Sequence, residues 1–327
     1  MTREASDCSQ SRREFLAVTG SSAAHLALLT VLPGPSRIPT RSAGRRARVV
    51  REPWADIERI SDNAWAVISK PLEDRTTLCN GAIVAGRERI VVVESFASNA
   101  GAGWVAERAR ELAGRRPTDV IITHYHGDHA NGLAGFLEGG RPTFWITANT
   151  RDRIAGQNTD REDSERRASI LESANVLPQT GPHPLDLGGG VRIQIVGRSG
   201  HTSSDVSVEL EEPSVVICGD LVWNRMFPNY VDAIPTQLGR DVRAMVRERE
   251  TVYVPGHGPI ASRPDLQQFI GVLDEVERAA RRAHEAGTPM ADAAQAFELP
   301  QSLGEWYRFS PRYFEVAFEA WARDLSP

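Results

Sequence analysis

The chain has 327 residues and 41% hydrophobic content, enough for one large domain or two ordinary ones around a substantial core. Its 38 basic and 43 acidic residues leave a net charge of −5, without the positive field that nucleic acid or anionic lipid would need; a small-molecule substrate is favoured. Repeats at solenoid periods are absent, which excludes a stacked-repeat fold.

Residues 1–44 read as a targeting segment. Ser11-Arg12-Arg13-Glu14-Phe15-Leu16 precedes a weakly apolar run from Ala17 to Leu32, and paired arginines followed by Phe-Leu resemble the twin-arginine signal that addresses folded proteins for export. Thr19, Ser21, Ser22 and His25 dilute the run, so no stable membrane span is expected in the mature protein. Export to the periplasm or beyond through the twin-arginine machinery is expected, with cleavage near Ser42-Ala43-Gly44. Cys8 lies before the apolar run, against a lipid-modified cysteine. Cys79 and Cys218 sit in apolar, strand-like stretches and read as buried thiols, with a disulfide as the alternative in an oxidising compartment.

From Val49 a short, strand-rich pattern predicts strands at Trp65–Ser69, Gly81–Val84 and Ile90–Val93, an antiparallel opening meander. Helical spacing covers Ala102–Ala113 and stops at Gly114. A buried-type strand, Asp119–Thr123, runs into His124-Tyr125-His126-Gly127-Asp128-His129, and a helix is expected over Ala130–Leu137. Residues 151–180 are charged and poorly patterned, with a surface helix at Arg161–Ser173 and no catalytic role. Strands at Val191–Val196, Val206–Leu210 and Val215–Cys218 end close to the candidate ligands His201, Asp205 and Asp220; Thr251–Val254 leads into Pro255-Gly256-His257-Gly258-Pro259. Amphipathic helices at Pro264–Glu285 and Tyr313–Leu325 make residues 263–327 a helical extension packed on the same domain.

Of 8 histidines, His124, His126, His129, His201 and His257 fall in Gly- or Asp-flanked loops just after expected strands. Imidazole and carboxylate suit zinc and similar borderline metals, and so few cysteines exclude an all-thiolate site. His124 and His126, two apart, can turn to one ion while Asp128 and His129 reach a second. His25, His183 (in a Gly-Pro-His-Pro loop) and His284 stand outside this set.

With His124-x-His126-x-Asp128-His129, Gly200-His201-Thr202, Gly219-Asp220 and Gly256-His257-Gly258 in this order, the chain resembles the metallo-β-lactamase superfamily from its opening strands through His257. The resemblance implies an α/β fold, a four-layer αβ/βα sandwich of two mixed β-sheets flanked by helices, over residues 45–262. It also implies two zinc ions, with iron or manganese as alternatives: one on His124, His126 and His201, one on Asp128, His129 and His257, and Asp220 bridging. The reaction implied is hydrolysis by hydroxide generated on the metals, with Asp128 and Asp220 the catalytic carboxylates. Asp220, where β-lactamases of this fold usually carry Cys or Ser, favours the glyoxalase II-like and lactonase-like branches, hence an ester, lactone or thioester substrate ahead of a β-lactam. Cys218, two residues earlier, reads as core rather than as a ligand, since a buried free Cys is common. Glu94 replaces an Asp common in the family, either orienting a ligand histidine or sitting idle at a strand end. Tyr125, Trp223, Arg225, Phe227 and Tyr230 are the candidate pocket residues, Trp223 and Phe227 having core packing as their alternative. Two further classes, a mononuclear iron persulfide dioxygenase and a non-catalytic metal-binding domain, are disfavoured by the complete second ligand set.

Overall fold

In the computed structural model, residues 47–157 and 163–326 are described. The targeting segment, Cys8, His25 and the first residues of the expected Arg161–Ser173 helix lie outside the described residues.

Strand alternation builds the layers. Strands β1 to β8 (Arg48–Arg51, Ala55–Arg59, Ala64–Ser69, Gly81–Ala85, Ile90–Val93, Asp119–Ile121, Thr143–Thr147, Asn175–Leu177) form one sheet in sequence order. β1 to β5 pair antiparallel and β5 to β8 parallel. Strands β9 to β13 (Gly181–Gly188, Val191–Arg198, Asp205–Leu210, Val215–Trp223, Val252–His257) form the second sheet, antiparallel except for the parallel β12–β13 pair.

Side chains alternate between the faces of each strand, and the core divides accordingly. Val91 and Val93 of β5 meet Ile193, Val208 and Ile217 between the sheets, while Ile90 and Val92 pack outward under the helix Asn99–Ala113 (α1). On the second sheet Val215 and Ile217 face inward, whereas Val216 and Cys218 pack outward under the helices Pro235–Ala244, Arg263–Glu285 and Tyr313–Leu325. This is the expected four-layer sandwich of two mixed sheets between helices. Each fully buried aliphatic side chain contributes about 1.5–3 kcal/mol, so the three apolar layers dominate the stability. The C-terminal helices share one cluster with β12 and β13. No helix among the described residues is long and apolar enough to cross a membrane.

Several local expectations are corrected. The helix expected at Ala130–Leu137 is instead a single turn over Gly127–Ala130 (α2), beginning inside the histidine motif, followed by a 3-10 turn at Leu133–Leu137. Gly132 separates them, and a Cβ there would lie 2.1 Å from the Ser95 carbonyl oxygen. Residues 181–188 form an edge strand, so His183 belongs to β9, its ring 5.3 Å from that of Trp145. Strands β12 and β13 run on through Asp220 and His257, which are therefore strand residues. Cys79 and Cys218 are both buried free thiols.

Candidate metal centre

The site lies where the C-terminal ends of parallel strands in the first sheet meet β12 and β13 of the second, the usual place for chemistry in open α/β sheets. Thr123, His124 and His126 follow β6 in the loop that leads to α2, His126 in extended backbone, and α2 turns Asp128 and His129 back toward them. His201 arrives on the β10–β11 loop. That loop is folded by Asp205, whose carboxylate accepts the His201 and Thr202 backbone N–H at 3.0 Å and the Thr202 hydroxyl at 2.7 Å. Asp205, expected near the ligands, therefore shapes their loop and is absent from both ligand groups.

All seven expected ligands are at most 4% exposed, and they fall into two groups. His124, His126, His201 and Asp220 make the first; Asp128, His129 and His257 make the second. Asp220 faces both. Its Oδ2 is 3.2 Å from His201 Nε2 and 4.0 Å from His124 Nε2, while Oδ1 is 3.1 Å from His129 Nε2 and 3.3 Å from His257 Nε2. Asp128 Oδ2 is 3.2 Å from His257 Nε2 and 3.6 Å from His129 Nε2. In the first group, His126 Nδ1 is 3.1 Å from His124 Nε2 and 2.9 Å from His201 Nε2.

These residues fit metal ions. The ligand atoms are spaced close to the roughly 3.3 Å separating two vertices of a tetrahedron whose arms are about 2.0–2.1 Å, the usual Zn–N and Zn–O lengths. Both Asp220 oxygens, His129 Nε2 and His257 Nε2 are buried, and each stands 3.1–3.3 Å from a neighbouring ligand atom without a well-formed hydrogen bond among the described residues, an arrangement that a bound ion would complete. The donor set of imidazole and carboxylate is the one zinc takes, with iron and manganese also compatible.

Charge differs between the groups. Burial, with His129, His126 and His201 as neighbours, holds His124 well below the ordinary histidine pKa. Burial opposes protonating His257, but Asp220 and Asp128 outweigh it and raise its pKa to about 9. His129 rises well above normal for the same reason, with Cys79, Asp220, Glu94 and Asp128 overcoming burial. Burial likewise disfavours the ionised Asp220, yet His257, His129 and His201 hold its carboxyl well below the usual range.

The ligands' outer atoms are tied down. His129 Nδ1 lies 3.0 Å from Glu94 Oε1; the same oxygen accepts the Thr123 hydroxyl at 2.6 Å, and Thr123 Oγ1 is 2.9 Å from His124 Nδ1. Glu94 thus orients one ligand from each group, and it does so from a left-handed backbone, φ 86°, that a non-glycine residue adopts at a cost. His126 Nε2 lies 2.9 Å from Asp232 Oδ2. Burial works against the ionised Asp232, but hydrogen bonds from His126 and Tyr125 bring its pKa down to about 2. Asp232, 106 residues from His126 in sequence, had no signal in any motif.

Two glycines leave room around Asp220 and the strand end that carries it. A Cβ at Gly256 would stand 1.9 Å from Asp220 Oδ1, and at Gly258, φ 89°, 1.9 Å from the Asn224 carbonyl oxygen. Asn80, absent from the sequence reading, holds this loop by donating to the Pro255 and Gly258 carbonyls at 2.9 and 2.7 Å.

The expected pocket residues separate. Trp223 stacks on His257, ring centroids 4.1 Å apart, and Phe309 stands edge-on to both at 6.3 Å. Phe309 comes from the C-terminal extension, where Tyr307 pairs with the loop after β12 through Tyr307 N to Arg225 O and Phe227 N to Tyr307 O. Phe227 and Tyr230 pack in the apolar layer, Phe227 against Phe314 at 4.9 Å, and so leave the pocket set. Arg225 is turned to Asp265, 3.3 Å away, and is also withdrawn. Tyr125 is buried beside Asp232, with Arg153 over its ring at 5.4 Å.

Comparison with known proteins agrees with this geometry. The sequence model described as "Metallo-beta-lactamase superfamily" matches residues 75–257. Over 219 residues, 67% of this chain and 80% of the relative, the chain is 27% identical to a hydroxyacylglutathione hydrolase of Acidiphilium cryptum. It is 22% identical to a metallo-beta-lactamase type 2 of Bacillus sp. over 59% of this chain and 72% of the relative. Among solved structures, a metallo-beta-lactamase from Pontibacter korlensis superposes with a TM-score of 0.55 at 19% identity, covering 67% of this chain and 99% of its own. A sec-alkylsulfatase from Pseudomonas sp. reaches a TM-score of 0.66 at 14% identity, over 83% of this chain and 50% of its own. The fold, the two ligand groups and the sequence match converge: this chain belongs to the metallo-beta-lactamase superfamily.

Proposed function

We propose that this superfamily hydrolase carries two zinc ions and cleaves a carboxylic ester, lactone or thioester of a small molecule after export. The observation that carries the reading is Asp220, each of whose buried oxygens faces a different imidazole group. His124, His126 and His201 would hold one ion, Asp128, His129 and His257 the other, with Asp220 between them. Bound there, such ions lower the pKa of water from 15.7 toward about 7 and polarise a carbonyl.

The protein's own residues then set the reaction's geometry. Glu94 and Thr123 fix the ring planes of His129 and His124, and Asp232 that of His126, so the reacting groups are placed before substrate arrives. Asp128, a buried carboxylate within the second group, is the residue placed to take up a proton as the nucleophile forms. Trp223 and Phe309, buried in the apolar layer like Phe227 and Tyr230, pack against the His257 ring and keep water from that side of the site. An acyl substrate is supported by the carboxylate at position 220 and by the hydroxyacylglutathione hydrolase likeness; the weaker β-lactamase likeness keeps a β-lactam as second choice.

The test uses residues 45–327 purified with their native metal, elemental analysis, and assays against lactone, thioester, aryl ester and β-lactam substrates before and after chelation. Two equivalents of zinc with chelator-sensitive cleavage of an acyl substrate is the expected outcome. One equivalent of iron, oxygen uptake with a persulfide and no hydrolysis would overturn it.

A further inference from the structure

The turn α2 carries Asp128 and His129, yet four residues cannot hold a helical turn by themselves. Its terminal carbonyls need partners from elsewhere. Ser95 supplies one, its N–H and hydroxyl both donating to the His129 carbonyl at 2.9 Å. Arg167 supplies the next two: its Nη1 is 2.9 Å from the Ala130 carbonyl oxygen and 2.8 Å from that of Asn131.

Arg167 belongs to the helix Ser164–Ser173, in the charged stretch whose pattern suggested only a surface helix. Its neighbour Arg166 is exposed, but Arg167 is 1% exposed, a depth that charged side chains reach only when well bonded. The helix is anchored at its start as well: Asn99 of α1 donates to Asp163 at 2.8 Å and accepts the Gly135 N–H at 3.1 Å. A cation at the C-terminal end of a helical turn also matches the turn's dipole. His126 caps the same turn, its carbonyl accepting the His129 and Ala130 N–H at 3.0 Å, but its ring, like His124 and the His201 loop, is steadied from outside the turn by Asp232, Thr123 and Asp205, so the clamp bears mainly on the second group.

We infer that Arg167 is a positioning residue for the second half of the metal centre, fixing Asp128 and His129 by bonding the two carbonyls that follow them. The inference rests on the dinuclear reading given above.

Zinc titration against a chromophoric chelator tests it on the parent, Arg167→Met, Arg167→Gln and Arg167→Lys, with cobalt absorption spectra and metal-free thermal denaturation alongside. The parent takes up two equivalents. In the Met and Gln variants the first affinity stays within about threefold while the second falls about 10–100-fold, with a changed cobalt spectrum; Lys, retaining charge and donors, recovers part of the loss. If Met fails to fold, the milder Gln variant decides. A lowered melting temperature with both affinities unchanged, or an equal loss at both sites, overturns the inference. A parent that takes up only one equivalent contradicts the dinuclear reading itself.

Discussion

The two ligand groups meet at Asp220 but differ in charge. The first gathers three imidazoles around one carboxylate oxygen, and His124 there gives up its proton readily. The second surrounds two imidazoles with Asp128, Glu94 and Asp220, so that His129 and His257 retain protons. Metal ions compete with protons for imidazole nitrogen. His124 is therefore ready for metal at neutral pH, whereas His129 and His257 must release protons first.

Substitution of Asp220 by Ala erases the comparison, since both halves lose their shared oxygen donors. Hydrolysis should fall by about 10³-fold, as for removal of a major preorganised stabilising group, and the purified protein should retain less than one equivalent of metal by elemental analysis. A narrower break comes from the carboxylates behind the ligands. Asp232→Asn should weaken the first site alone by about 10–100-fold, whereas Glu94→Gln, touching His129 directly and His124 through Thr123, should weaken both. Competitive zinc titration of the two variants separates these patterns.

The charge difference is sharpened by pH. Affinity at the second site should rise with pH up to about 9 as His257 deprotonates, with proton release detectable in weakly buffered calorimetry. Stability of the metal-free protein follows the opposite sign. Because the folded-state pKa of His257 is raised above the ordinary 6.5, its contribution is full below 6.5 and disappears as pH climbs toward 9. Melting temperature without metal should therefore decline across that window, and melting of the zinc-loaded protein should not share the decline. The smallest effect lies away from both halves: Cys218→Ala should cost about 1 kcal/mol by denaturant melting and leave both zinc affinities unchanged.

The strands around the site were legible because short continuous apolar runs such as Ile90–Val93 and Val215–Cys218 are buried on both faces. The ligands were legible because closely spaced histidines beside carboxylates and glycines have few other uses. Asp232, Asn80 and Arg167 were not, since each acts through a contact far along the chain that leaves no local pattern. Phe227 and Tyr230 misled for a related reason: proximity to Asp220 in sequence does not fix which face of the chain meets the metals. Phe309 was missed because the resemblance ended at His257, whereas the C-terminal extension folds back beside it.

X-ray absorption on the zinc-loaded protein tests the central claim, one carboxylate shared by two ions, most directly. A zinc–zinc vector at about 3.5–4 Å is expected, lost in Asp220→Ala. Two bound zinc ions with no such vector in the parent would contradict the shared-carboxylate account.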